Sequence, residues 1–325
     1  MEQNNVLVDI QGLKKNFITA KTFTGKPLKT VRAVDDVSLQ IYQGETLGVV
    51  GESGCGKSTF GRSILRLIEP TEGEILYQGE NITTYGKEEM RQMRKKMQLI
   101  FQDPYASLNP RMTVFELIKA PLDAFHIGTA QEKYDRVREI MDLVGMPEKM
   151  MNRYPHEFSG GQRQRIVIAR ALVLNPEFVV CDEPVSALDV SIRAQILNLL
   201  QELKKKKNLT YLFISHDLSV VKYISDRIAV MYLGRVVEIA DKNELYNHPA
   251  HPYTKALLSA IPIPDVDCTM KRVVLDGDVP SPINPPSGCH FHTRCKYATD
   301  KCRTQCPKLK AINGSHQVAC HLFDE

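Results

Sequence analysis

Nine consecutive residues, Gly51-Glu52-Ser53-Gly54-Cys55-Gly56-Lys57-Ser58-Thr59, carry the plainest chemistry in the chain. They fit G-x-x-x-x-G-K-[ST], a loop whose glycines let backbone N–H groups turn inward around an anion. In such a loop Lys57 reaches the β- and γ-phosphates of a nucleotide and the Ser58 hydroxyl holds Mg²⁺. A helix starting here adds the positive end of its dipole. Further along, Phe178-Val-Val-Cys-Asp182-Glu183 is an apolar run ending in two carboxylates. One acid after such a strand can hold Mg²⁺ of a bound nucleotide. The adjacent acid points elsewhere and can orient or deprotonate a water. Tandem acids at a strand end are often only a turn, and these gain their weight from the phosphate loop. Gln102 and His216 also end apolar runs. Taken alone, the glutamine reads as surface and the histidine as a hydrogen-bonded structural residue. Ser159-Gly160-Gly161-Gln162 precedes a helical stretch and offers a second anion-binding helix start, although Ser-Gly-Gly by itself is a common turn.

The elements that position these residues form an α/β pattern. Thr46–Val50 reads as a buried strand into the loop, and Phe60, Ile64, Leu65 and Ile68 lie at helical spacing after it. Residues 97–101, 178–182 and 209–214 read as further strands. If these strands are parallel, the loop, Gln102, the acid pair and His216 all converge on one sheet edge. Residues 6–50 alternate apolar and polar, as half-buried strands do. A polar insert from about Thr19 to Thr30 interrupts them and is expected to be a loop. Phe17 precedes the insert. Its ring could stack on a base, but its position alone favours a core aromatic. Residues 113–151 read as mostly helical, as do Arg163 to Leu174 and about 190–204. The Lys204–Lys207 run ends the last of these, where cations suit a helix C-terminus.

Composition bounds the reading. The chain has 325 residues, 43% hydrophobic and 25% charged, which suits one large soluble domain with an extension, or two domains. A net charge of +4, mixed along the chain, gives no argument for nucleic acid. No uncharged apolar stretch is long enough to span a bilayer. The polar N-terminal stretch lacks the pattern of a signal peptide. A cytoplasmic location is therefore expected, where the eight cysteines would be free thiols or metal ligands.

Together these stretches resemble the ATP-binding subunits of ABC transporters over roughly residues 6–240. Gly51–Ser58 is similar to the Walker A motif, Gln102 to the Q-loop and Ser159-Gly160-Gly161-Gln162 to the signature motif, with Phe158 where leucine is commoner. Val179–Asp182 resembles Walker B, Glu183 the catalytic carboxylate, Ser186–Asp189 the D-loop and His216 the switch histidine. Phe17 matches the base-stacking aromatic by its place, with Phe23 as a substitute. The resemblance implies a P-loop ABC-type nucleotide-binding domain over 1–240. That domain has a RecA-like core, an antiparallel β subdomain and an α-helical subdomain at about 104–160. A Cys/Pro-rich C-terminal extension would occupy 241–325. It also implies ATP and Mg²⁺ as cofactors, held by Gly51, Ser53, Gly54, Cys55, Gly56, Lys57, Ser58, Thr59, Gln102 and Asp182. Glu183, His216 and Gln102 would act in hydrolysis.

A narrower resemblance rests on Gln102–Arg111, His251-Pro-Tyr-Thr-Lys-Ala-Leu-Leu258 and Pro280–Cys289. These are similar to the second ATPase subunit of the oligopeptide/dipeptide importers, a branch that also takes nickel and glutathione. It implies a head-to-tail pair with a paralogous subunit, two permease subunits, a solute-binding protein outside, and a peripheral place on the cytoplasmic face of the membrane. A soluble ABC ATPase of DNA repair or translation is the alternative from another class. Five cysteines close the chain with spacing C-x5-C-x6-C-x3-C-x13-C, neither a zinc ribbon nor a standard ferredoxin run. By resemblance, Cys289, Cys295, Cys302 and Cys320 would hold a [4Fe–4S] cluster or, failing that, zinc. A metal-free docking tail is the plain alternative. Cys55 and Cys181 read as small packing residues.

Overall fold

The computed structural model describes residues 5–21, 27–261, 275 and 277–324. Phe23, Cys268 and residues 22–26 of the expected insert lie outside them. The chain forms two compact units. One comprises residues 1–42, 46–84 and 214–325, and the other 43–45 and 85–213.

The first unit begins with β1 (Val6–Lys21) and β2 (Pro27–Tyr42), paired antiparallel. The insert expected over 19–30 is shorter than its composition suggests, because Ala20 pairs with Lys29 and Lys21 with Pro27. The ladder overrides the local turn chemistry, and Pro27 is tolerated as a first strand residue. The Thr19 hydroxyl donates to the Lys29 carbonyl at 3.2 Å. Next come β3 (Thr46–Val50), entirely buried, and α1 (Lys57–Ile64). Then β4 (Glu72–Tyr77) and β5 (Glu80–Asn81) complete an antiparallel sheet of order β2-β1-β4-β5. Leu7, Ile10, Leu13, Ile41 and Phe60 are buried beneath it. Each such side chain contributes about 1.5–3 kcal/mol by leaving water.

The second unit runs through α2 (Lys87–Lys96), β6 (Met97–Ile100), α3 (Pro104–Ser107), α4 (Val114–Ala124) and α5 (Ala130–Leu143). It continues with α6 (Gly160–Leu172), β7 (Phe178–Asp182), α7 (Val190–Lys207) and β8 (Thr210–Ile214). The helical reading of 113–151 is met. Thr113 with Glu116, and Thr129 with Glu132, form capping boxes that start α4 and α5. Val114, Leu117, Ile118, Val137, Ile140, Met141 and Val144 are buried, as their spacing predicts. α7 runs three residues beyond its expected end and stops at Asn208, whose φ of 50° is the left-handed turn that closes many helices. β6 and β7 are parallel, Gln98 beside Val179 and Ile100 beside Cys181. Both therefore deliver their C-terminal ends to the same edge.

The chain then returns to the first unit through α8 (Leu218–Ile224), β9 (Arg227–Tyr232) and β10 (Arg235–Asp241). There follow α9 (Lys242–Asn247), α10 (Pro252–Ser259), α11 (Asp300–Thr304), β11 (Lys310–Asn313) and β12 (His316–Val318). β9 lies parallel to β3, and β10, β12 and β11 extend the order outward, antiparallel in turn. The C-terminal residues thus complete a sheet begun by the strand before the phosphate loop. Buried Glu238 ties them in. Its carboxylate accepts from the N–H groups of Ala250 and His251 at 2.7 and 2.9 Å, and meets His316 Nε2 at 2.7 Å.

Candidate functional site

β3 delivers the chain to Gly51, and the loop ends at Gly56, the residue before α1. Gly56 has φ 104°, and a Cβ there would stand 1.9 Å from the Ala33 carbonyl oxygen. Only glycine fits, on conformation and on space. α1 has no side-chain cap at its N-terminus. Lys57 is buried, and its ammonium donates to the carbonyls of Gly51 and Glu52 at 2.8 and 2.9 Å. The loop therefore holds a cation at its centre before any anion arrives. Cys55 is buried, as its reading as a packing residue expects, and burial pushes its thiol pKa up. His216, after β8, is exposed. Its neighbour Asp217 caps α8, accepting from the N–H groups of Ser219 and Val220.

Phe17 lies on β1 opposite Val31 and is 37% exposed, with the Lys15 ammonium 5.0 Å from its ring centroid. The core packing favoured by position alone is wrong for this residue. The ring lies at the surface rather than in the core, with the Lys15 ammonium over it.

In the second unit Asp182 is fully buried at the end of β7. Glu183 follows with φ 48°, a left-handed conformation that a non-glycine side chain adopts at a cost. The Ser186 hydroxyl and amide both donate to the Glu183 carbonyl, at 3.1 and 3.3 Å. Gln102, at the end of β6, donates its side-chain amide to Glu183 Oε2 at 3.0 Å. The two strand-end residues expected to share an edge do meet, one aiming the carboxylate of the other. No sequence signal marks the turn at Glu183, since its backbone is set by the strand behind it and the Ser186 turn ahead.

Ser159 and Gln162 form a capping box, a feature the sequence analysis did not recognise although S-x-x-Q before a helix is its signature. Ser159 Oγ accepts from the Gln162 N–H at 3.4 Å, and Gln162 Oε1 accepts from the Ser159 N–H at 3.0 Å. Gly160 and Gly161 are therefore the first turn of α6, which begins three residues before the expected Arg163. A Cβ on Gly161 would stand 2.5 Å from Ile192 Cγ2, so close approach to α7 demands the glycine.

Near the C-terminus all described cysteines are free thiols. Burial pushes Cys289 up to about 12, and the nearby thiols of Cys302, Cys320 and Cys295 add to the effect. Thiols are apt donors for iron–sulfur clusters or zinc. Yet among the described residues no group of three or more His, Cys, Asp or Glu is arranged to hold a metal ion. The structure therefore gives no support to the expected cluster or zinc site. Likewise, among the described residues no helix is long and apolar enough to cross a membrane.

A glycine-rich loop closed on its lysine and a strand-end acid aimed by a glutamine are the marks of a P-loop ATPase. Residues 34–186 match the family described as ABC transporter, and residues 237–302 match the C-terminal region of oligopeptide/dipeptide transporters. The chain belongs to the ATP-binding proteins of the ABC transporter family, in the oligopeptide/dipeptide branch, as its motifs implied, and it is an ATPase. It is 53% identical to the oligopeptide transport ATP-binding protein AppF of Bacillus subtilis (strain 168), covering 98% of this chain and 97% of that relative. It is 52% identical to the oligopeptide transport ATP-binding protein OppF of Salmonella typhimurium (strain LT2), covering 100% of this chain and 98% of that one. Among solved structures, the dimeric ATP-binding cassette MJ0796 bound to ADP and Pi matches with a TM-score of 0.64 and 29% identity, over 73% of this chain and 99% of that one. CbiO1 of Clostridium perfringens, part of the ABC transporter complex cbiONQ, matches with a TM-score of 0.65 and 25% identity, over 75% and 92%.

Proposed function

We propose that this chain is the ATP-binding and ATP-hydrolysing subunit that powers peptide import through an ABC transporter. The observation that carries the reading is similarity along nearly the whole chain to relatives named for oligopeptide transport, with the C-terminal region included. Nickel or glutathione as cargo remains the alternative within the same role, since nothing in this chain is read as contacting solute. The working partners are a paralogous ATP-binding subunit, two permease subunits and an extracytoplasmic solute-binding protein, with the chain peripheral on the cytoplasmic face of the membrane. A dimeric relative bound to ADP and Pi supports a paired arrangement.

The residue roles in this proposal follow the resemblance to the family's motifs. The loop amides of Gly51, Ser53, Gly54, Cys55 and Gly56, with Lys57 and Thr59, bind the phosphates of ATP. Ser58, Asp182 and Gln102 are the residues that would hold Mg²⁺, and a buried carboxylate with a hydroxyl and an amide oxygen is a donor set suited to a hard cation. When bound, Mg²⁺ neutralises charge on the phosphates. Gln102 aims Glu183, and Glu183 orients and accepts a proton from the attacking water. His216 donates toward the γ-phosphate. Phe17 stacks on the adenine. Ser159, Gly160, Gly161 and Gln162 close on the ATP held by the partner. Positioning and charge stabilisation carry most of such a reaction. No metal at the C-terminal thiols is part of this proposal.

The test is Glu183→Gln in the transporter purified from membranes through a tag on this chain. A second ATP-binding protein and two permease subunits are expected to accompany it. Mg·ATP binding should persist while hydrolysis slows at least ~10²-fold. Co-purification with ribosomes or repair proteins, or hydrolysis at the wild-type rate, would overturn the reading.

A further inference from the structure

Glu52 is the second residue of the phosphate loop, and all three of its polar groups are held, two of them from far along the chain. Its carbonyl accepts from Lys57 Nζ at 2.9 Å. Its N–H donates to the Tyr253 hydroxyl at 3.0 Å. Both oxygens of its carboxylate accept from Arg294 Nη1, at 3.2 and 3.0 Å. Tyr253 and Arg294 lie far along the chain, in the segment after β10.

Packing fixes both. Phe291 sits with its ring centroid 5.2 Å from Tyr232 and 5.4 Å from Tyr253, while Tyr232 and Tyr253 are 4.6 Å apart. All three rings are fully buried. Arg294 follows in the tight turn of residues 292–294, its N–H donating to the Phe291 carbonyl at 3.0 Å. Its side chain is 9% exposed, and its Nε is buried without a hydrogen-bond partner. Burying a guanidinium this far is costly unless a charge compensates it, and the Glu52 carboxylate does so.

The carboxylate in turn needs a cation. An acid within a loop built for phosphates opposes its own ligand, and the Glu52 charge is felt at Cys55 in the middle of the loop. We propose that Arg294 is a positioning residue for nucleotide binding. It cancels the Glu52 charge and, with Tyr253, fixes the entry of the phosphate loop, so the C-terminal segment is a working part of the ATP site. This rests on the reading of residues 51–59 as an ATP-binding loop.

The experiment titrates the full-length chain with Mg·ATP by calorimetry. Arg294→Met should bind about tenfold more weakly, with the deficit shrinking as salt is raised. Glu52→Gln/Arg294→Met should recover to within about threefold of wild type, because the charge that harms binding has been removed. Should Arg294→Met not fold, Arg294→Gln with and without Glu52→Gln carries the same comparison, since glutamine also removes the charge. Wild-type affinity in Arg294→Met would overturn the proposal. So would a double variant as weak as the single one, since a merely structural tie gives no rescue. Lys57→Ala separates the two readings. If it binds Mg·ATP as well as wild type does, the loop assignment itself fails. If it loses binding while Arg294→Met does not, only the role of Arg294 fails.

Discussion

Among the described helices, α1 and α6 both start with several glycines beside polar residues, and the two starts are built on opposite principles. At α1 the glycines belong to the loop, Gly56 is left-handed, and no side chain caps the helix. At α6 the glycines are helical, and Ser159 and Gln162 satisfy the end reciprocally. The first arrangement puts no capping side chain between its amides and an anion. The second spends them on the protein's own side chains, so an anion must compete with the cap. Glycine serves conformation and space together in one place and close packing alone in the other.

Alanine at each glycine breaks the comparison most sharply. Gly56→Ala meets the fixed backbone oxygen of Ala33 and also needs a positive φ. It should destabilise by about 3 kcal/mol or more and cost nucleotide binding. Gly161→Ala meets the Cγ2 branch of Ile192, in an ordinary helical conformation. That should cost about 1–2 kcal/mol, less than at Gly56 because no backbone is struck and no positive φ is needed. Urea unfolding of both variants checks the order. Equal losses would mean the two glycines serve the same purpose.

A third helix start sharpens the contrast. α10 is capped by His251, whose Nδ1 accepts from the Tyr253 N–H at 3.1 Å. Acceptance requires the neutral ring, and burial pulls this histidine down to about 3. An unfolded histidine titrates near ~6.5. Between these values the unfolded chain binds the extra proton, so stability falls as pH drops from about 6.5 toward 3. The slope is at most about 1.4 kcal/mol per pH unit, or about 2 kcal/mol lost by pH 5. His251→Asn keeps a capping acceptor without the titration, and should flatten that part of the profile. An unchanged slope would place the acid sensitivity elsewhere.

Sequence disclosed the loop, the strand-end residues and the helical stretch because each rests on local pattern. Thr46–Val50 had to be a buried strand before a phosphate loop could follow. Gln102 and Glu183 could be placed on one edge because apolar runs of strand length precede both. Other features were set by distant partners. The insert between β1 and β2 is short because Ala20 and Lys21 find partners across the ladder, which overrides their turn-like neighbours. The left-handed Glu183 and the Arg294–Glu52 pair have no local signature at all. The capping box at Ser159 is legible as S-x-x-Q before a helical run, although a glycine pair also reads as a turn.

That box also yields the smallest effect, and the most discriminating one. The Ser159 hydroxyl makes a long 3.4 Å bond to the Gln162 amide, so its loss should be mild. Ser159→Ala is expected to cost about 0.5–1 kcal/mol of stability, and Ser159→Asn a few tenths, because asparagine also caps well. Thermal unfolding of the full-length chain measures both. If alanine and asparagine cost the same, the hydroxyl is not acting as a cap, and the contrast between the two helix starts is lost. If alanine alone is costly, Ser159 is engaged in the resting chain. In its proposed role Ser159 would then exchange this weak bond for a phosphate, a trade small enough for nucleotide binding to drive.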